Sequence, residues 1–492
     1  MKLDDELNKL KDDIPNMNSN LDDLILDKHQ KKKNLKNNMS LRKIILILSP
    51  VFILFLLFTS LLIFMPKNIN SGSKYPTETT PPTSTTTKYL SNIIRKQAKK
   101  EEAIDYDIEG YKAFCNKLQN FSIKLSEIYY QNNLNSTFAL SPISIINVLG
   151  LAIECTNNST RNEILNALDV TYEEVLTYYP ILQKNINIEK YKKDYLNLNR
   201  KTCQYFSNNA IWYADDINAN DNTLDNLANN YYADIFNIDF VKYNDAASKD
   251  IRKYINETTN NLLDPKISLS DDTKLFLLNT IYLEDIWSSN MSLSNQKTQF
   301  TNYNNNVVNT EFYISKYSSA KIGKTSKMSY YYLKTNEGFM IYFMVPNDSY
   351  IVNDIYNYDS IRTVLDDKYN GYDSINDVLY FSNITFPAFN AEMQGSLKNE
   401  LNYLGINSIF SYNADFSNFT DTNLYANDII HGTKLSVNKD GIKGAAFTYI
   451  EGCTSVDPSK IIYETLEVDR TFAYVVVDSD NNITFTGVVN EL

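Results

Sequence analysis

The sequence predicts a large domain of the α+β class. Apolar residues recur at helical spacing in residues 118–130, and a second, mostly apolar helix is expected at 142–153. A nearly continuous apolar run at 275–283 is typical of a central strand covered on both faces. Two runs near the end of the chain, 472–477 and 483–489, predict a hairpin. Strands and helices are therefore mixed along about 390 residues, without an internal repeat.

Shorter signals predict further elements between these runs. Residues 158–163 offer N-cap candidates for a helix that continues through Ile164 and Leu165. Residues 339–345 predict a strand that a Pro-Asn-Asp turn ends, and residues 378–386 predict a strand with less regular alternation.

Composition excludes several classes of function. The chain has 492 residues, of which 43% are apolar, which suffices for a sizeable core. A net charge of −12 argues against a general affinity for nucleic acid. The two histidines, His29 and His431, exclude a three-histidine metal site, and no metal or cofactor is expected. Four cysteines without a Cys-x-x-Cys pair are too few for a disulfide scaffold.

An apolar stretch at residues 44–65 divides the chain. As a helix it would be about 33 Å long, close to the thickness of a bilayer core of about 30 Å, so it predicts a transmembrane helix. Residues 28–43 hold seven basic residues and no acidic one. The positive-inside rule therefore predicts a cytoplasmic tail at 1–43 and an extracellular or lumenal remainder. We expect a single-pass membrane protein.

A stretch rich in Ser, Thr and Pro follows the membrane segment and predicts an extended stalk at 66–103. The globular part is then expected at 104–492. Ten Asn-x-Ser/Thr acceptors lie beyond the membrane segment, and in a chain this rich in Asn many arise by chance. They are Asn120, Asn135, Asn157, Asn158, Asn256, Asn290, Asn347, Asn383, Asn418 and Asn482.

Several short segments follow one another over residues 105–492. They are Phe138 to Ile145, Leu278 to Tyr282 with Trp287, Phe386 to Phe389, Leu404 to Ile406 with Phe410 and Ala414 to Ser417, Leu424-Tyr425 with Ile430-His431, Val437 to Gly441, and Phe472 with Phe485 to Gly487. Each alone is weak, but in order and spacing they resemble the serpin family. The resemblance implies a serpin fold with three β-sheets, eight or nine helices and an exposed reactive loop.

The resemblance also implies a function, which is suicide-substrate inhibition of a protease and not catalysis. A target serine or cysteine protease cleaves the loop and forms a covalent complex with it. The loop then inserts into the large sheet as a new strand, which distorts the trapped protease. We expect a monomer that acts from the membrane surface.

By an ungapped match from Gly441, the resemblance implies a reactive loop at about 439–465 and a scissile bond at Ser455-Val456. Thr454, Val456, Asp457 and Lys460 remain alternative positions for the residue before the cut. The implied hinge consists of Lys439, Asp440, Gly441, Ile442, Gly444, Ala445, Ala446 and Thr448. Cys453 lies inside the loop, where a plain exposed residue and a redox-sensitive thiol are both compatible with the sequence.

The period of the loop favours an inhibitor. If the loop becomes a strand, alternate residues point to opposite faces. One face then holds the hinge residues Ile442, Gly444, Ala446 and Thr448, which fit a buried position. The opposite face holds Lys443, Ala445, Phe447 and Tyr449, so charge and bulk fall on the tolerant side.

Three departures from the family pattern favour a rival function. Ile442 stands in place of Thr or Ser, Lys439 in place of Glu, and Thr471 in place of the Pro before Phe472. The rival is a non-inhibitory serpin-fold protein that serves surface binding, adhesion or transport.

A polar cluster below the large sheet is also implied by the resemblance. In the family it controls strand separation, and the matching sheet-opening residues are Ser141, Ser144, Asn279, Trp287 and His431. A hydrolase that uses His431 is disfavoured, because the chain has no Gly-x-Ser-x-Gly motif and no second histidine beyond the membrane segment.

Overall fold

The computed structural model describes residues 89–99, 106–193, 199–270, 272–426, 428–442 and 460–492. The predicted cytoplasmic tail 1–43, membrane helix 44–65 and first part of the stalk lie outside the described residues. Among the helices that the structure describes, none combines the length and apolar character needed to cross a membrane.

The described residues contain nine α-helices and one short 3₁₀ helix at Ser408–Phe410. The α-helices are α1 (Ile108–Asn132), α2 (Pro142–Cys155), α3 (Asn158–Leu168), α4 (Tyr172–Asn185), α5 (Asp221–Asn229), α6 (Asn244–Thr258), α7 (Val352–Ile355), α8 (Tyr358–Asp366) and α9 (Lys398–Tyr403).

The same residues contain twenty-one strands. The first eleven are β1 (Asn92–Arg95), β2 (Phe138–Leu140), β3 (Asn187–Lys193), β4 (Asn199–Ala214), β5 (Ala233–Ile238), β6 (Leu275–Ile286), β7 (Ser292–Leu293), β8 (Gln299–Thr301), β9 (Val307–Asn309), β10 (Phe312–Ile314) and β11 (Gly323–Lys324). The others are β12 (Met328–Lys334), β13 (Met340–Pro346), β14 (Tyr372–Asp373), β15 (Val378–Pro387), β16 (Phe389–Ser396), β17 (Ile430–Val437), β18 (Gly441–Ile442), β19 (Ile461–Glu467), β20 (Phe472–Val477) and β21 (Ile483–Val489).

Three larger sheets and one two-stranded sheet, β8-β9, organise the described strands. The large sheet runs β1-β5-β4-β6-β18-β17-β16, with β3 also paired to β4. A five-stranded sheet runs β14-β15-β10-β7, with β19 paired to β15, and a six-stranded sheet runs β11-β12-β13-β20-β21-β2. This mixture of sheets and helices confirms the predicted α+β class, and the three larger sheets and nine helices of the described residues agree with the numbers that the resemblance implied.

Helix α2 forms the centre of the core, since every one of its residues is buried. It lies behind the large sheet, where the Ser144 hydroxyl donates to the Asn279 carbonyl on β6 at 3.5 Å. The opposite face of β6 carries α6, where the Thr280 hydroxyl bonds to that of Thr258 at 2.9 Å. Odd-numbered residues of β6 therefore face α2, and even-numbered ones face α6.

The sequence located most of these elements, with differences at their ends. The helix predicted at 118–130 begins at Ile108, because Asp107 caps it by accepting a hydrogen bond from the Glu109 amide. The predicted strand at 275–283 continues to Ile286, and the predicted terminal hairpin matches β20 and β21.

The folded unit begins earlier than the predicted start at residue 104. Strand β1 falls in the predicted stalk, yet it pairs with β5 at the edge of the large sheet. Ser91 ties it to α6, because both its amide and its hydroxyl donate to the buried Asp250 carboxylate, at 2.7 and 2.8 Å. Arg95 forms ion pairs with Asp221 and Asp225, both on α5. Partners more than a hundred residues away thus order a segment that is polar in sequence.

Candidate functional site

Of the predicted reactive loop at about 439–465, the structure describes residues 439–442, which include strand β18, and residues 460–465. Residues 461–465 belong to β19, which pairs with β15, so the loop ends earlier than predicted. Strand β18 begins the loop. It lies between β6 and β17: Gly441 pairs with Ile286, Ile442 pairs with Asp285, and Ile442 also pairs with Val437. Both of its residues are buried. In the described part of the chain, β6 and β17 are joined through this two-residue strand.

The geometry of Gly441 explains why glycine is found there. Its φ is +154°, which side chains rarely adopt, and a Cβ atom would lie 2.2 Å from the Asp285 carbonyl oxygen. The preceding turn is closed by a hydrogen bond from the Asn438 amide to the Gly441 carbonyl, at 3.1 Å. Glycine therefore allows the chain to reverse and enter the sheet.

Trp287 holds this turn against the end of β6. Its indole Nε1 donates to the Asn438 carbonyl at 2.8 Å, and its amide donates to the Asp440 carbonyl at 3.2 Å. Lys439 is exposed, and within the described residues it has no ion-pair partner. The predicted hinge residues 439–442 and Trp287 are thus brought together, whereas Gly444, Ala445, Ala446, Thr448, Ser455 and Val456 lie outside the described residues.

Beyond β18 the space between β6 and β17 is an open cleft of about 880 Å³. Residues 275–280 of β6 form one wall, residues 430–434 of β17 form the other, and Ser144, Ile145 and Val148 of α2 form the floor. The cleft walls begin at Thr280 and Lys434, a few residues along from the pairs that β18 makes on the same two strands. A strand that continued from β18 between β6 and β17 would therefore run toward the cleft.

Three residues of the predicted polar cluster, Ser144, Asn279 and His431, line this cleft, and Ser141 contacts His431 from behind the lining. The Ser141 amide donates to His431 Nε2 at 3.1 Å, and Ser144 bonds to the main chain of Asn279. The Asn279 side-chain amide donates to Ser207 Oγ at 2.7 Å and to Asn209 Oδ1 at 2.9 Å, which extends the cluster to β4.

His431 is a neutral imidazole in this environment. Burial lowers the pKa of His431 to about 4. Because Nε2 accepts a hydrogen bond, the ring proton is on Nδ1. The residue is therefore a structural acceptor at neutral pH and not a charged group.

Two polar atoms on the cleft walls have no hydrogen-bond partner among the described residues. They are Asn279 Oδ1 on β6 and Thr433 Oγ1 on β17. Such buried atoms are costly when unsatisfied. Sequence reasoning did not identify Thr433, although its position two residues after His431 places it on the same face of β17.

A buried carboxylate at the hinge was also missed. Asp285 faces the core at the end of β6, where its Oδ2 accepts the Glu337 amide at 3.0 Å. Its Oδ1 has no partner among the described residues. Burial raises the pKa of Asp285 to about 7. This acid lies directly beside the first inserted residues of the loop.

The described residues show no group of three or more potential metal ligands. Cys115, Cys155 and Cys203 are free, buried thiols, so no disulfide joins any two of them. Cys453 lies outside the described residues. Of the ten glycosylation acceptors, Asn383 and Asn482 are buried at 2% exposure, which excludes a glycan on either one in the folded protein.

Comparison with known proteins agrees with this arrangement. The family model described as serpin (serine protease inhibitor) matches residues 116–492. A serpin-like protein of Methanosarcina acetivorans is 25% identical, over 73% of this chain and 82% of its own. Alpha-1-antiproteinase of Rattus norvegicus is 22% identical, over 75% and 87%. The native structure of the thermophilic serpin Tengpin has a TM-score of 0.64 at 20% identity, covering 82% of this chain and 100% of that one. The chain therefore belongs to the serpin family.

Proposed function

We propose that the protein is a suicide-substrate protease inhibitor whose reactive loop, from residue 439 to the start of β19, inserts between β6 and β17 after cleavage near Ser455-Val456. The observation that carries this proposal is β18, which already forms a two-residue strand between β6 and β17, the two strands that wall a cleft farther along. A sheet that is primed to accept one more strand suits an inhibitor that works by insertion.

The register of β18 fixes what insertion would bring together. Gly441 opposite Ile286 and Ile442 opposite Asp285 are antiparallel pairs, so each later loop residue meets one earlier residue of β6. Continued along the strand, this pairing sets Gly444 opposite Leu283, Ala446 opposite Ile281 and Thr448 opposite Asn279.

Pairing along β17, the other wall of the cleft, places the same loop residues on the inward face. Ile442 pairs with Val437, so continued pairing along β17 sets Ala446 opposite Thr433 and Thr448 opposite His431. Those wall residues are buried and face α2, as Ile442 does. Both registers therefore direct Gly444, Ala446 and Thr448 inward, as the alternation of the sequence predicts.

Insertion would also satisfy a buried polar group. Thr448 would reach the level of Asn279, whose Oδ1 lacks a donor among the described residues. A threonine hydroxyl can donate to that oxygen. The removal of one unsatisfied buried acceptor stabilises the inserted state by about 1–3 kcal/mol.

In the proposed mechanism the protease cleaves the loop but does not complete hydrolysis of the acyl-enzyme. The protease nucleophile attacks the carbonyl carbon of Ser455, the peptide bond to Val456 breaks, and Val456 leaves as an amine after taking a proton from the protease. The result is an ester, or a thioester with a cysteine protease. Insertion of residues 443 onward then moves the protease before water can hydrolyse that bond.

The test is a search for this covalent adduct. The full chain is mixed with proteases of elastase-like, papain-like, Asp-directed and trypsin-like specificity, and the products are separated in SDS. We expect an adduct with at least one protease and a released peptide that begins at Val456. Cleavage of the loop by these proteases without any adduct would contradict the proposal.

The second candidate is a non-inhibitory binding, adhesion or carrier protein. It is favoured by Lys439, which is exposed and has no ion-pair partner in the described hinge, and by Ile442, which is bulky for the start of an insertion strand. Such a protein would be cleaved without gaining heat stability.

The site of action is a separate proposal. We propose that residues 44–65 anchor the protein, that the tail 1–43 is cytoplasmic, that the remainder of 66–103 before β1 forms a stalk, and that the serpin domain is extracellular or lumenal. Protease treatment of intact cells should remove the serpin domain and leave the tail protected. Recovery of an intact chain in the soluble fraction would contradict the anchor.

A further inference from the structure

An exposed apolar surface lies on the strand that follows the reactive loop. We define it as the aromatic face, which consists of Tyr317, Leu379, Phe381, Ile461 and Tyr463 on the five-stranded sheet and the loop beside it. Tyr463 is 62% exposed and Tyr317 is 48% exposed, although both are large aromatic residues. Leu379, Phe381 and Ile461 are partly buried beside them. Exposed apolar residues that are contiguous mark an interaction surface more often than single ones do.

Strand register shows that these residues share one side of the sheet. Leu379 pairs with Ile461 and Phe381 pairs with Tyr463 in a parallel ladder. The Phe381 and Tyr463 rings stack with centroids 5.9 Å apart, and Tyr317 meets Tyr463 edge-on at 5.1 Å. The three rings form one preorganised row, so little side-chain entropy remains to be lost on binding.

The edges of the aromatic face are polar. On one side Lys460 bonds to Asp377, and the hydroxyl of Tyr372 donates to that carboxylate at 2.9 Å. On the other side Lys297 bonds to Glu467 at 2.8 Å. An aromatic centre with a charged rim is the usual anatomy of a protein interface, in which tyrosines are frequent hot spots.

The position of the aromatic face in the chain identifies its partner. Tyr463 is the eighth residue after Ser455, so the two are at most about 28 Å apart along an extended chain. A standard interface covers about 800 Å² per partner, which is a patch about 30 Å across. A protease that holds Ser455-Val456 in its cleft is therefore within reach of the face.

We propose that the aromatic face is a second contact site for the protease that cleaves the loop. It would touch an apolar surface next to the part of the protease cleft that binds residues after the cut, because β19 follows the cut in the chain. The proposal rests on the proposed inhibitory function. It concerns recognition before cleavage, whereas β18 and the cleft concern insertion after cleavage.

The test measures reversible binding to inactive proteases. The probes are the four proteases of the adduct search, each with its catalytic nucleophile replaced by alanine. The full chain is compared with its double variant Tyr317→Ala/Tyr463→Ala and with Tyr463→Thr, which keeps a residue suited to a strand. The matched control is Tyr412→Ala, since Tyr412 is 74% exposed and lies outside the aromatic face.

We expect the double variant to bind at least about 10-fold more weakly than the natural chain, with unchanged melting temperature, and Tyr463→Thr to bind severalfold more weakly. The control should bind within about twofold of the natural chain. At saturating protease the double variant should still give the SDS-stable adduct, because insertion does not use the face. Equal binding by the double variant and the natural chain would overturn the contact site and leave the inhibitory function intact.

Two other outcomes would also overturn the proposal. If the natural chain binds none of the inactive proteases and forms no adduct, both the contact site and the proposed function fail. If sedimentation shows that the natural chain self-associates and the double variant does not, the face is occupied by a second copy.

Discussion

Ile442 pairs with Asp285 at the head of the large sheet, so the first apolar residue of the reactive loop is buried beside a carboxyl group that lacks a full set of partners. The pair joins the loop to β6 at the point from which insertion would proceed. Acid–base behaviour at Asp285 is thereby linked to the stability of the hinge.

Replacement of Asp285 by Asn should stabilise the protein at alkaline pH. Burial raises the pKa of Asp285 from 3.8 to about 7, so the folded state resists ionisation and loses stability as the pH rises through that interval. Above pH 7 the variant should be more stable by up to about 4 kcal/mol. The Glu337 amide keeps an acceptor in the variant.

Urea unfolding at pH 4 and at pH 8 checks this prediction. The neighbours of the carboxyl group are Cys203, Thr335 and Glu337, and all three are the same in the natural chain and in the Asp285→Asn variant. The two proteins should differ at pH 8 and converge at pH 4. An equal difference in the free energy of unfolding at both pH values would show that Asp285 does not ionise between pH 4 and pH 8.

His431 should destabilise the protein in acid. Its folded pKa of about 4 is below the usual 6.5, so the unfolded chain binds the proton first and stability falls as the pH drops from 6.5 to 4. The loss should reach about 3 kcal/mol. His431→Gln keeps an acceptor for the Ser141 amide but cannot titrate in this range.

The comparison of natural chain and His431→Gln isolates this effect, because Asp285 and Asp478, whose pKa burial also raises to about 7, act in the opposite direction in both proteins. Unfolding free energies are measured from pH 7 to pH 4. Parallel profiles for the two proteins would contradict the assignment.

Strand β1 should stabilise the domain through Ser91. Its hydroxyl donates to the buried Asp250 carboxylate, and hydrogen bonds to charged groups contribute about 1.5–3 kcal/mol. Ser91→Ala should therefore lower the free energy of unfolding by about 1–2 kcal/mol. Ser159→Ala, at an exposed serine on α3, should change it by less than about 0.5 kcal/mol. Equal effects of the two variants in urea unfolding would indicate that the Ser91 hydroxyl does not stabilise the domain.

A matched pair of arginine variants tests the predicted faces of the loop. Thr448→Arg would bury a charge opposite Asn279 and His431, at a cost of several kcal/mol, and should convert the inhibitor into a substrate. Phe447→Arg falls on the opposite face and should inhibit nearly as well as the natural chain. The measurement is the number of inhibitor molecules consumed per protease molecule trapped. Similar values for both variants would contradict the register.

Local patterns in the sequence and short family motifs were sufficient to predict much of the fold. Apolar periodicity indicated α2, β6 and the terminal hairpin, and the hinge residues 439–442 followed from the family resemblance. The resemblance also identified Ser144, Asn279 and His431, which the structure places on one cleft, and Ser141, which bonds to His431.

Features that depend on distant partners were not predicted. In the sequence Asp285 resembles an ordinary polar residue at the end of a strand. Its burial depends on a turn at Glu337, which lies 52 residues later. Strand β1 resembles a stalk in sequence, because its order comes from Asp250 and β5 and not from its own composition. The aromatic face exists only where β19 pairs with β15.

The most direct test of insertion compares melting temperatures before and after the loop is nicked. The full chain, including β1, is cut between residues 443 and 459 by a protease that it does not trap, and both forms are heated. Insertion between β6 and β17 predicts that the nicked form melts tens of degrees higher, since it gains a complete central strand. An unchanged melting temperature would contradict the inhibitory mechanism and favour the binding or carrier function.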